Sequence, residues 1–193
     1  MLFDPQNCCR ILIIDDDRGS HELLRRMLSK PLPDDTDSRS RSLMPCFEID
    51  SAYQGEEGLD LIEKGLREKR PYSLAFVDVR MPPGWDGVKT ISKIWEKYRD
   101  LQVIVCTAYS DYSWEQMVSE LAHVDRMVIL NKPFSKIEVV QLAVALTAKW
   151  QIKQQSKLRV DNLEKLLQAL RTLKCVIAGQ VSSKHTKHLK PLS

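Results

Sequence analysis

The sequence has no apolar run approaching the ~20 residues that a membrane-spanning helix requires, so no transmembrane segment is expected. It also lacks the marks of a secretory leader. Its first ten residues, MLFDPQNCCR, carry an acid and a proline where a basic segment and an apolar stretch would stand. A cytoplasmic location is therefore expected. Zinc-ligand spacing is missing, because no second cysteine pair answers the adjacent Cys8 and Cys9. The five cysteines (8, 9, 46, 106 and 175) are odd in number and scattered, and they read as reduced structural thiols. Proline and glycine are both absent from residue 135 to about residue 177, which leaves a long helical pattern uninterrupted.

What is present is 193 residues, 43% hydrophobic and 28% charged, enough for one globular domain and something extra. A chain this long can bury roughly 70% of its unfolded surface without a disulfide or metal staple. The net charge of +3 hides an asymmetry. From Lys149 onward ten Lys/Arg stand against Asp161 and Glu164, a balance of +8; residues 1–148 hold 19 bases against 24 acids, or −5. An acidic body carries a basic extension.

Within the body, short apolar runs alternate with helical patterns. Residues 11–14 (ILII), 74–77 (LAFV), 101–106 (LQVIVC) and 127–130 (MVIL) are nearly continuous apolar runs, and residues 47–52 alternate. Such runs suit strands covered on both faces, as in a parallel sheet. Between them, Ser20 is placed to cap a helix bearing Leu23, Leu24, Met27 and Leu28. Residues 58–69, 88–97 and 113–121 repeat the helical spacing, and Ser135 with Glu138 forms a capping box that Phe134 can pack against. Five βα units predict an α/β fold with an open, doubly wound, five-stranded parallel sheet. Residues 31–46, PLPDDTDSRSRSLMPC, read as a mobile solvated insertion between the first helix and second strand.

In such sheets a ligand binds beyond the carboxyl ends of the strands. Asp15, Asp16 and Asp17 follow the first strand, Asp78 the third, Thr107 the fourth, and Lys132 then Pro133 the fifth; no comparable polar group follows the second. A lone acid after a strand is ordinarily a turn or cap, and a lone lysine is ordinarily solvated. Their joint occurrence along one predicted sheet edge carries the weight. Carboxylates converging there would repel without a cation, and hard oxygen donors suit Mg²⁺. With a lysine and a hydroxyl alongside, the set predicts phosphoryl transfer to an aspartate.

The segments ILIIDDD, FVDVRMPPGWDG, VIVCTAYS and VILNKPFS together resemble the four signature segments of the two-component receiver domain, the module of bacterial response regulators. The resemblance covers about residues 9–150 and implies a (βα)5, flavodoxin-like receiver fold. It implies that Asp15 and Asp16 are the metal-binding pair, that Asp78 is the phospho-acceptor, and that the main-chain carbonyl of Arg80 is a further Mg²⁺ ligand. Thr107 matches the hydroxyl that contacts the phosphoryl group, Lys132 the lysine that pairs with it, and Tyr109 the aromatic switch. Lys132–Pro133 matches the family's cis peptide. Two departures stand out. MPPGWDG is one residue longer than the usual loop, and the third acid, Asp17, leaves a one-residue ambiguity that is settled in favour of 15/16 because that pair follows the apolar run directly. The implied donor is a sensor histidine kinase or a histidine phosphotransfer protein. Phosphorylation would draw Thr107 toward the phosphoryl group, let Tyr109 rotate, and re-bias a partner face.

An aspartate-nucleophile phosphatase of the haloacid dehalogenase type is the competing reading, with Asp15 and Asp17 as its D-x-D pair. Gly19 stands where that motif wants Thr or Val, and Asp78 with its loop would have no role. The signalling receiver, not an enzyme, is therefore expected. Beyond it, Leu163, Leu166, Leu170, Leu173 and Ile177 step by 3, 4, 3, 4, a heptad seam that predicts a coiled-coil-like linker over 151–178 and a possible homodimer. Residues 179–193 read as a basic flexible tail and residues 1–8 as an amino-terminal extension. No output domain fits into the extension, so a downstream effector or a missing output domain is the expected partner. No helix-turn-helix pattern or stacking aromatic accompanies the basic tail, so nucleic acid is not expected as a partner. His185 and His188 read as solvated, not as a metal site.

Overall fold

The structure is a computed structural model that describes residues 8–29, 45–108, 117, 119–121 and 123–185, with side chains described through residue 174. The elements are β1 (Cys9–Ile14), α1 (Arg18–Ser29), β2 (Phe47–Ala52), α2 (Gly55–Arg67), β3 (Leu74–Asp78), α3 (Gly87–Lys97), β4 (Gln102–Thr107), β5 (Met127–Asn131) and α4 (Lys136–His185). A short 3-10 turn, Val124–Arg126, leads into β5. Most of the helix expected over 113–121 lies outside the described residues.

All strand pairs are parallel, in the order β2-β1-β3-β4-β5. The chain steps outward from β1 to β2 and then back past β1 to β3. The reversal falls between β1 and β3, which is where a doubly wound sheet opens its crevice.

The apolar runs are continuous because both faces of the sheet are covered. Successive side chains alternate between two cores. Leu12, Ile14, Ala75, Val77, Val103 and Val105 pack with Ile62, Ile91 and Ile94 of α2 and α3. Ile11, Ile13, Leu74, Phe76 and Ile104 pack with Leu24, Leu28, Val139 and Ala143 of α1 and α4.

Two local expectations are corrected. The cap of α1 is Asp17, not Ser20: its carboxylate accepts from the main-chain nitrogens of Gly19 at 3.1 Å and Ser20 at 2.9 Å. The helix accordingly starts earlier and buries His21, Leu24 and Leu28, while Leu23 faces solvent. Cys8, expected as a reduced thiol, is joined to Cys46 in a disulfide, with 4.6 Å between their Cα atoms. The register explains the pairing. Cys9 stands opposite Phe47 across β1 and β2, so the residues just before them are neighbours. Cys9 and Cys106 are free and buried.

The capping box forms as expected. Glu138 N donates to Ser135 Oγ and Ser135 N donates to Glu138 Oε2. Phe134 packs beside the first turns of α4 against the second core. The chain divides into two compact units, Met1–Gln151 and Ile152–Ser193, and the first holds the whole sheet. In the second, Leu163, Leu166, Leu170 and Leu173 are exposed. No helix among the described residues is long and apolar enough to cross a membrane.

Candidate functional site

Three strands deliver the central charges. Asp15 leaves the end of β1, Asp78 ends β3, and Lys132 follows β5. Lys132 Nζ donates to Asp78 Oδ1 at 2.6 Å and to Asp15 Oδ2 at 3.0 Å, bridging the point where the strand order reverses. The remaining oxygens are held by main chain: Arg80 N donates to Asp78 Oδ2 at 2.8 Å and Asp17 N to Asp15 Oδ1 at 2.9 Å. The Lys132–Pro133 peptide is cis, as the resemblance implied. Lys132 N donates to the Thr107 carbonyl, which ties the ends of β4 and β5 together. Thr107 is buried, and its hydroxyl donates to the Ala108 carbonyl at 2.9 Å.

Desolvation sets the electrostatics. Burial pushes the Asp78 carboxyl above the ordinary carboxylate range, opposed by the hydrogen bond and charge of Lys132. For Lys132 burial works to lower the pKa, but the hydrogen bonds and charges of Asp78 and Asp15 outweigh it and hold the ammonium well above its usual value. Behind them, burial drives the Cys106 thiol up to about 12, so it is a neutral wall of the site. Two enclosed carboxylates thus share one fixed cation, with Asp16 exposed beside them.

Residues 11–144 match the family model of the response regulator receiver domain. The chain belongs to the response regulator receiver family. Among its relatives is the transcriptional regulatory protein ResD of Bacillus subtilis (strain 168), 32% identical over 143 residues that cover 74% of this chain and 50% of ResD. The chain spans about half the length of the curated relatives it matches. A CheY-like receiver domain protein from Methanospirillum hungatei JF-1, 21% identical, superposes with a TM-score of 0.55 over 74% of this chain and 96% of that one, a likeness of fold alone. The response regulator TrrA of Thermotoga maritima, solved in complex with Mg(2+)-BeF, is 27% identical, with a TM-score of 0.50 over 72% of this chain and 98% of that one.

In this receiver the loop after Asp78 is built around close contacts. Asp86 caps α3 by accepting from Lys89 N at 2.7 Å, and Gly87 N donates to the Val79 carbonyl at 2.9 Å. A Cβ on Gly87 would stand 2.2 Å from the Asp78 carbonyl oxygen, so only glycine lets α3 begin against the end of β3. The MPPGWDG segment forms a loop with a second cis peptide, Pro82–Pro83, and Gly84 N donating to Gln54 Oε1. A Gly87→Ala substitution should destabilise the receiver by about 1–3 kcal/mol, the usual cost of overpacking. A lowered urea midpoint with an unchanged m-value would be the signature.

The site residues expected from sequence fall into three groups. Asp15, Asp78 and Lys132 are in direct contact, with Thr107 at the neighbouring strand end. Asp16 and Arg80 lie on the adjoining loops, and Tyr109 lies outside the described residues. Asp17 turns its carboxylate back on α1, which removes it from the phosphatase-type pair with Asp15. Two residues that sequence reading passed over stand directly behind the acids. His21 is buried beneath Asp15, and Ser51 of β2 contacts it. The polar contribution of β2 comes from within the strand and not from the residues after it. Ser51 is its penultimate residue.

Proposed function

We propose that this receiver is a phosphorylation switch in which Asp78 accepts a phosphoryl group from the phosphohistidine of a sensor histidine kinase or a histidine phosphotransfer protein. One observation carries the reading: Lys132 Nζ is bound to both Asp78 and Asp15 at the strand-order reversal. A carboxylate oxygen of Asp78 attacks phosphorus in line. The new O–P bond forms as the donor's N–P bond breaks, and the imidazole nitrogen leaves with the bonding pair. Lys132 already stands where charge would build on the phosphoryl oxygens, and Arg80 N steadies the carboxylate.

The donor set fits a hard divalent cation. It consists of oxygens only, and its acids outnumber the single lysine. Among the described residues no three His, Cys, Asp or Glu side chains form a closed cluster; the Arg80 carbonyl, which the family resemblance implies as a ligand, would join Asp15, Asp16 and Asp78. Bound there, Mg²⁺ would neutralise phosphoryl charge. The commitment of Asp17 to its cap supports Asp15 and Asp16 as the pair.

After transfer, the Thr107 hydroxyl exchanges the Ala108 carbonyl for a phosphoryl oxygen, and Tyr109 follows it to alter the partner-facing surface. This receiver works in the cytoplasm as a switch, not as a turnover enzyme, and hands its signal to a downstream effector or an output domain. Incubation with acetyl phosphate and MgCl₂ tests the reading. Intact mass should show one phosphoryl adduct that requires the cation; a chain that stays unmodified overturns it.

The receiver also dimerises through α4. Leu163, Leu166, Leu170 and Leu173 are exposed along one seam at steps of 3, 4 and 3. Burying each leucine against a second copy contributes about 1.5–3 kcal/mol. Light scattering should give a dimer for the parent and a monomer for a chain carrying both Leu166→Lys and Leu170→Lys.

A further inference from the structure

Between α1 and β2, directly behind the acidic loop, a buried histidine joins two elements. His21 is 3% exposed, and a ring so enclosed needs partners for both nitrogens. It has them: Nε2 lies 2.7 Å from the main-chain oxygen of Asp15, and Nδ1 lies 2.8 Å from Ser51 Oγ. A carbonyl oxygen only accepts, so Nε2 carries a hydrogen. Arg25 Nη2 donates to Ser51 Oγ at 2.9 Å, which leaves the Ser51 hydrogen free to point at Nδ1. Arg25, Ser51, His21 and the Asp15 carbonyl thus form one continuous hydrogen-bonded chain. The Tyr53 ring, 4.6 Å away between centroids, limits rotation of the imidazole.

We propose that His21 is a positioning residue for the cation end of the phosphorylation site. A peptide unit is planar, so holding the Asp15 carbonyl oxygen fixes the whole Asp15–Asp16 plane. That plane sets the direction in which Asp16 leaves the loop. Among the described residues no hydrogen bond or ion pair fixes the Asp16 side chain, whereas the Asp15 side chain is held by Lys132 and Asp17 N. His21 thereby supplies the order that Asp16 lacks, and Ser51 and Arg25 orient His21. The inference rests on the reading of Asp15 and Asp16 as Mg²⁺ ligands, and it extends the site to an edge strand that contributes no ligand itself.

The test is calorimetric titration of MgCl₂ alone into the full chain, with thermal midpoints measured in parallel. Loss of an outer partner of a metal site typically weakens the metal by 10–100-fold, so His21→Leu should lose about ten-fold in Mg²⁺ affinity. His21→Gln, whose amide N–H reaches toward the same carbonyl, should recover to within about three-fold, and Ser51→Ala should fall between the two. A merely structural role would make affinity follow the thermal midpoint and give no rescue. Parent affinity in a folded His21→Leu chain overturns the proposal, as does a His21→Gln chain that binds as weakly as His21→Leu. If His21→Leu does not fold, Ser51→Ala decides: weakened binding supports the proposal and parent affinity overturns it. A parent chain that binds no Mg²⁺ overturns the receiver-site reading instead, a separate result.

Discussion

An Asp78→Asn chain mixed with acetyl phosphate and Mg²⁺ should stay at its unmodified mass while the parent gains one phosphoryl group. The carboxylate is the nucleophile, and an amide of the same shape has no comparable electron pair to attack phosphorus. The loss should be complete, because among the described residues no other carboxylate contacts Lys132 besides Asp15, whose other oxygen is tied to Asp17 N. Folding should survive the change. The amide oxygen keeps one of the two contacts, to Lys132 Nζ or Arg80 N, while its NH₂ group faces the other donor and forfeits about 1 kcal/mol. Against that, a buried charge disappears from a place where burial already disfavours it. Stability should therefore stay within about 1 kcal/mol of the parent, so lost phosphorylation cannot be ascribed to lost structure. An adduct at parent stoichiometry on the variant would move the acceptor elsewhere.

The parts of this fold that were legible in the sequence are those set by local pattern. β2 has the bounds its alternation predicts, and the other strands agree within a residue or two, because a strand buried on both faces is written as an apolar run. The charges at the strand ends were legible for a related reason. Once the strands are placed and parallel, residues that follow them share an edge. What escaped depends on neighbours across the sheet. The Cys8–Cys46 disulfide follows from the register of β1 on β2, which no stretch of sequence states by itself. His21 looks like one polar position on an amphipathic helix until Ser51 is set beside it. The start of α1 is not legible in the sequence because the same DDD run supplies site acids and a cap, and the spacing of three acids does not say which one turns back on the helix.

Replacing Lys132 with methionine should cost the receiver both its chemistry and a measurable part of its stability. The side chains of Asp15 and Asp78 are 5% and 11% exposed, and Lys132 is their shared cation. Removing one partner of a buried ion pair leaves an uncompensated charge and typically costs 3–5 kcal/mol. Here Lys132 is itself 31% exposed, so water can enter on its side and the loss should be nearer 2–3 kcal/mol. The loss should also depend on pH in a fixed direction. Burial raises the Asp78 pKa and Lys132 opposes that shift, so without the lysine the folded-state pKa stands higher still above its unfolded value. A folded state that binds its proton more tightly than the unfolded chain is favoured at low pH and loses that advantage as pH rises through the folded-state value. The Lys132→Met chain should thus be closest to the parent in mildly acidic buffer and fall behind it toward neutrality. Urea denaturation of both proteins across that range would show the divergence; a gap that is constant with pH would mean that the lysine contributes packing, not charge. Adding Asp78→Asn to Lys132→Met should return much of the lost stability, since one of the stranded carboxylates is then gone. A double variant no more stable than Lys132→Met alone would place the stranded charge on Asp15.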